Sequence, residues 1–298
     1  MNVFLTPTHE LRSGWKFAAY AVLFLILLIA TIYALGLVLT QSALFEGQLI
    51  ALALQAAVFF PPAVATLVIM ARLVDHKPLA AFGVAFHEKW HKDLVFGFMV
   101  GCGMLGVLIV GCVAVGGLDA RWTASDRTSL ELSATVLVLV ISAANEELMF
   151  RSYPLQVLMR GMGVWPAVAF MSLVFGLMHA SNPNASVLGT VNTVLAGAML
   201  SMAYVKTRSL WLPYGIHIAW NLGLGFIMGF PLSGIGIASL WSSTANGSEL
   251  ILGGGYGPEG GLISTLIFIG AAVTVRVARA AEISPTVRAA LAGGASEQ

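Results

Sequence analysis

The sequence predicts an all-α protein, a polytopic membrane bundle of about eight transmembrane helices folded as a single integral membrane domain over 1–298. Three observations predict it. The chain is 58% hydrophobic and only 10% charged, with a mean hydropathy of +0.88. Its apolar runs recur at lengths near or above the roughly 20 residues that carry a helix across a bilayer. The one-sided distribution of Lys and Arg then orients the bundle.

The first run, 17–40, is longer than the apolar segment of a signal peptide and is followed by no convincing small-residue cleavage site, so it reads as a true span. The second, 48–71, contains Pro61-Pro62, which predicts a kink. The third, 94–117, carries Gly97 and Gly101 at a spacing that permits close helix approach. Its Cys102 and Cys112 stand about 15 Å apart along a helix, too far for a disulfide. The fourth begins at 130 and reaches 150 or beyond. Further spans are expected at 164–180, 187–205, 210–230 and 261–280, the seventh with a second small-residue pair, Gly225 and Gly229. A Gly-rich outer segment, 231–260, joins the last two, and the chain after Ala281 reads as a short solvated end.

An even number of crossings puts both termini on one side. Of the 15 Lys and Arg, only Arg121 and Arg127 fall on the opposite face, so both termini are expected in the cytoplasm. A net charge of +1 without a dense basic stripe argues against nucleic acid as a partner; the lipid bilayer is the expected one.

The costly residues are Glu146 and Glu147, adjacent carboxylates in the apolar stretch 136–150. An ionisable side chain inside a span costs about 2.5–3.5 kcal/mol on insertion scales, and such residues mark pathways or reaction centres. Residues four apart share a helix face. Glu147 can therefore pair with Arg151, while Glu146, turned about 100° away, stays free to face a cavity as a base. A plain salt-bridge cluster would account for Glu147 and Arg151 and leave Glu146 without a partner. Of the six histidines, His9, His76, His87 and His91 fall in polar or basic segments and read as solvated surface. His179 ends the fifth span, and His217 lies in the seventh with Asn221 four residues on. That pair shares a face, and its imidazole and amide can both donate to a developing oxyanion.

These groups cooperate only at one depth. A fourth helix ending at Phe150 leaves Glu146 near the cytoplasmic surface, far from His179. A helix continuing through Pro154 to about Arg160, as membrane helices tolerate, moves the turn to Gly161-Met162-Gly163. Glu146 and His179 then lie at a similar chain distance from it, roughly 24–26 Å. His217 and Asn221 are expected to be shallower, within side-chain and substrate reach.

Three ordered motifs, Glu146-Glu147-Leu-Met-Phe-Arg151, Phe175-Gly-Leu-Met-His179 and His217-Ile-Ala-Trp-Asn221, are similar to the E-E-x-x-x-R, F-x-x-x-H and H-x-x-x-N motifs of the CPBP family. These are the CAAX proteases and bacteriocin-processing enzymes, also called type II CAAX prenyl endopeptidase-like or Abi proteins. The match covers 130–230, the catalytic core that the resemblance implies. It implies an intramembrane endopeptidase in which Glu146, with His179, activates a water, His217 and Asn221 stabilise the oxyanion, and Glu147 and Arg151 support the site. It further implies a membrane-associated peptide or protein substrate, prenylated or leader-peptide in kind, and a bacterial plasma membrane.

Metal dependence stays open at this point. In one reading the site needs no cofactor; in the other, Glu146, His179 and His217 hold a zinc ion. The lack of a His-Glu-x-x-His helix and the poor ligand quality of Asn221 favour the first. A proton-coupled transporter and a non-catalytic membrane binding protein also accommodate buried Glu and His.

Overall fold

The computed structural model describes residues 3–39 and 48–292, predominantly helical. In chain order the helices are α1 (Ser13–Leu39), α2 (Gln48–Ile69), α3 (Trp90–Val115), α4 (Ser129–Arg151), α5 (Tyr153–Met162), α6 (Val164–Met178), α7 (Val187–Thr207), α8 (Trp211–Asn221), α9 (Glu249–Leu252), α10 (Leu262–Val277) and α11 (Pro285–Ala292). Among the described residues, five segments are long and apolar enough to cross a bilayer: Ser13–Leu37, Ala53–Val74, Trp90–Val115, Ser129–Met162 and Val187–Thr207. The other three expected spans are shorter. α6 and α10 have 15 and 16 residues, a rise of about 23 Å against a hydrocarbon core of about 30 Å. α8 is extended by a π-helical turn, Leu222–Ile227. Residue 40 of the first expected span and the tail beyond 292 lie outside the described residues.

Apolar packing forms two halves. One gathers Tyr20, Leu67, Phe82, Tyr153 and Phe175 from the α1, α2, α5 and α6 side; the other gathers Leu108, Met199, Ile216, Trp220 and Phe268 from α3, α7, α8 and α10. α3 and α8 touch backbone to backbone. A Cβ on Gly97 would lie 2.2 Å from the Leu212 carbonyl oxygen, and one on Gly215 would lie 2.3 Å from that of Leu94. The expected close approach at Gly97 and Gly101 thus seats the helix that carries His217 and Asn221. Gly225 and Gly229 behave differently. Gly225 faces the Ile237 side chain, and Gly229 adopts φ +70° against the Trp241 carbonyl, a backbone conformation that favours glycine.

The continuous fourth helix expected from the sequence is broken at Ser152 (φ −78°, ψ −111°). Pro154 has no N–H to extend the α4 ladder and sits instead in the first turn of α5, where none is needed. Ser152 Oγ donates to the Leu148 carbonyl, serving an acceptor near the break. The following turn falls at Gly163, within the expected 161–163.

Three features depart from the sequence reading. β1 (Leu118–Trp122) pairs antiparallel with β2 (Trp241–Ala245), Leu118 opposite Ala245 and Trp122 opposite Trp241. His87 is buried rather than solvated: its Nδ1 accepts from the Lys89 N–H, and its Nε2 lies 3.0 Å from Ser209 Oγ. Burial holds its pKa below the usual histidine value, opposed by nearby Glu88 and aided by Lys89. The end after Ala281 is also not simply solvated. α11 buries Val287, and Thr286 donates its N–H and its hydroxyl to the Glu88 carboxylate.

Candidate active site

α4 is anchored far from the site by a reciprocal cap, in which Thr128 Oγ1 accepts the Glu131 N–H and the Glu131 carboxylate accepts the Thr128 N–H. Near its other end, the geometry divides the adjacent carboxylates as their helical spacing requires. Glu147 and Arg151 are each 1% exposed, and Arg151 Nη1 donates to Glu147 Oε1 at 3.1 Å. The guanidinium also lies 4.3 Å from the centre of the Phe175 ring, so the aromatic residue of the second motif covers the cation of the first. Glu146 faces the other way, with 29% of its side chain exposed.

Glu147 has a second partner that helical spacing does not reveal. Its Oε1 accepts from His217 Nδ1 at 2.8 Å. An ionised oxygen already bound to Arg151 can only accept, so the histidine proton is on Nδ1 and Nε2 points at the cavity. Nε2 lies 3.7 Å from Glu146 Oε2. His217 therefore stands beside Glu146, a correction to its expected shallower depth: the backbone contact of α8 with α3, not its distance along the chain, sets its position. His179 is oriented in the same manner. Its Nδ1 donates to the Phe175 carbonyl at 2.8 Å, leaving Nε2 as the basic nitrogen.

Glu146, His179, His217 and Asn221 line one cavity of about 240 Å³ between the two apolar halves. Asn221 is buried, and no hydrogen bond of its side chain occurs within the protein among the described residues, which leaves its amide available. Together the arrangement offers a free carboxylate, two oriented imidazoles and an unspent amide donor, the parts required for water activation and oxyanion stabilisation.

The opposite wall comes from the Gly-rich segment 231–260 and from residues that the sequence does not single out. Glu259 Oε1 accepts from Trp220 Nε1 at 2.8 Å, and its Oε2 accepts from the Ser233 N–H and hydroxyl. Asn192 Nδ2 donates to the Glu259 and Gly261 carbonyls, both at 2.8 Å. Trp220, Ser233, Glu259 and also Asn145 of α4 line the cavity. No local pattern marks Glu259, because its partners lie 26 and 39 positions away.

Glu147 and His217 Nδ1 are committed to each other, and among the described residues no three His, Cys, Asp or Glu side chains are grouped to hold an ion.

No curated protein sequence matches the chain. A family model does, over residues 128–223: Rce1-like, type II CAAX prenyl endopeptidase. The matched segment contains all three motifs and every residue named in them, and over it the chain is similar to the Rce1-like type II CAAX prenyl endopeptidases.

Proposed function

We propose that the protein is a glutamate-dependent intramembrane endopeptidase acting on a prenylated, CAAX-type peptide at a plasma or inner membrane, with both termini in the cytoplasm. The observation that carries the reading is the split between adjacent carboxylates: Glu147 is spent on Arg151 and His217, while Glu146 is free in a cavity shared with His179, His217 and Asn221.

Glu146 takes a proton from a water whose other side is steered by His179 Nε2. The water oxygen bonds to the scissile carbonyl carbon, and the carbonyl oxygen becomes an oxyanion. Asn221 Nδ2 donates to that oxygen. His217 can donate from Nε2 only as an imidazolium, since Nδ1–H is committed to Glu147; both glutamates lie close enough to support that charge. Collapse breaks the C–N bond, and the proton held by Glu146 passes to the departing amine. Glu147 and Arg151 hold the imidazole in orientation without touching substrate.

Two observations favour a lipidated substrate: the family matched, and an apolar groove of about 750 Å³ between α3 and α10 that shares Met104 with the catalytic cavity. The test is cleavage of quenched fluorescent CAAX peptides, farnesylated or unmodified, by protein in lipid nanodiscs, with and without 1,10-phenanthroline. The reading expects cleavage of the farnesylated peptide that withstands chelator and disappears in Glu146→Gln. Inhibition reversed by added zinc overturns the metal-free mechanism; equal cleavage of the unmodified peptide overturns the lipid requirement. Cleavage retained in Glu146→Gln removes the proposed base.

A further inference from the structure

Asn145 is 93% buried, directly precedes Glu146 and lines the same cavity, yet its side-chain oxygen is enclosed without a hydrogen-bond donor. Nor does its amide nitrogen make a hydrogen bond within the protein among the described residues. No described residue pairs with this carboxamide, although leaving a buried amide unpaired carries its full desolvation cost and leucine at the same place would carry none. Asparagine is also a weak former of helix interiors. Packing does not account for the residue; a partner entering the cavity does.

Its direction follows from the helix. Val138, Ser142, Asn145 and Met149 recur at intervals of four, three and four, and all line the cavity, so Asn145 lies on an inward stripe next to Glu146. Across from it, Gln55 of the apolar helix α2 lines the same cavity with an exposed side chain. Two carboxamides and a hydroxyl thus give the α2 and α4 side of the cavity a neutral polar track beside Glu146.

We propose that Asn145, with Ser142 and Gln55, binds the main chain of the substrate peptide in extended form and delivers it to Glu146. The proposal rests on the endopeptidase reading above. A peptide entering a cavity at membrane depth brings N–H and C=O groups that each need a partner. A carboxamide carries the same donor and acceptor as a peptide group and pairs with it whatever the side chain. Asn145 Nδ2 donates to a substrate carbonyl, and rotation about Cβ–Cγ lets Oδ1 accept a substrate N–H. Because the track is uncharged, it reads main chain rather than side-chain charge.

The probe is a fluorescent farnesylated CAAX peptide, titrated by anisotropy onto Glu146→Gln protein in nanodiscs so that binding is read without turnover. Adding Asn145→Leu should weaken binding about 10-fold or more, the loss of its buried hydrogen bonds to the main chain, and adding Gln55→Leu about 3-fold. Gln55 is exposed, so its variant tests the track without disturbing packing. An ester analogue of the peptide, which lacks the main-chain N–H that Oδ1 accepts, should bind Glu146→Gln more weakly and lose less on Asn145→Leu than the amide peptide does. The thermal midpoint of Asn145→Leu alone should equal or exceed that of wild type. A drop of several degrees would assign Asn145 to structure and overturn the track, as would unchanged peptide affinity in both added variants. Asn145-dependent binding of a peptide that wild type never cleaves would uphold the track and sink the catalytic reading. No binding at all would overturn the track and the substrate class together.

Discussion

Replacing Arg151 by Met should be among the most damaging changes in the protein, and removing Glu147 as well should repair most of it. The pair is 1% exposed on both sides with a 3.1 Å contact, which at an effective dielectric constant of about 20 is worth about 5 kcal/mol. Breaking a buried pair costs about 3–5 kcal/mol because the remaining charge is stranded, whereas replacing both partners by apolar groups is often close to neutral. Arg151→Met strands Glu147, and Glu147→Met strands Arg151 against the Phe175 ring. In the double variant the remaining loss is the acceptor of His217 Nδ1–H, about 1–3 kcal/mol. At about 2–4 °C per kcal/mol for a chain of this order, each single variant should melt about 6–20 °C below wild type and the double variant clearly above both. Thermal unfolding followed by circular dichroism in mild detergent reads this directly. Peptidase activity should stay low in the double variant, since His217 has lost its orientation. A double variant melting at or below the weaker single one would refute the coupling, and with it the assignment of Glu147 as the partner that neutralises Arg151.

Other expectations follow from the same geometry. Asn221→Ala removes a donor to the oxyanion and should lower kcat by about 100- to 1,000-fold with little change in KM, measured on the cleaved peptide. Gly97→Val places a side chain where a Cβ already lies 2.2 Å from the Leu212 carbonyl oxygen. It should push α8 off α3 and reduce both the melting temperature and turnover; full activity in this variant would separate the α3–α8 contact from the position of His217. His87 is buried neutral with a lowered pKa, so the unfolded chain takes up a proton first as pH falls. The stability it contributes is complete above about pH 6.5 and declines below that, through the lowered folded value, by at most about 1.4 kcal/mol per pH unit. Melting profiles between pH 7.5 and 5 should be flatter in His87→Gln, and an unchanged slope would show that another group controls the transition.

Much of the architecture was legible because the bilayer limits the choices. Long apolar runs must be helices, and α1, α2, α3, α4 and α7 follow the expected positions to within a few residues. The i,i+4 rule separated Glu147 from Glu146, since both facts lie on one helix. Pro154 was located but not its consequence: the missing N–H could be absorbed by a kink or by a new helix start, and the break at Ser152 follows the second course. β1 and β2 were missed because strands of five residues gain stability from each other, across more than 100 positions of chain.

By itself, the sequence determined the all-α membrane class, the three motifs and the inequality of the two glutamates, all of which depend on composition or on neighbours within one helical turn. Tertiary structure alone decided what those groups face. The Glu147–His217 hydrogen bond spans 70 residues, the Glu259 contacts that close the cavity bridge segments with no local signature, and the unpaired amide of Asn145 emerges only when every nearby donor is known. The physical reason is common to all three: hydrogen-bond satisfaction is a property of packed neighbours, and chain order does not record which distant surfaces a helix will meet.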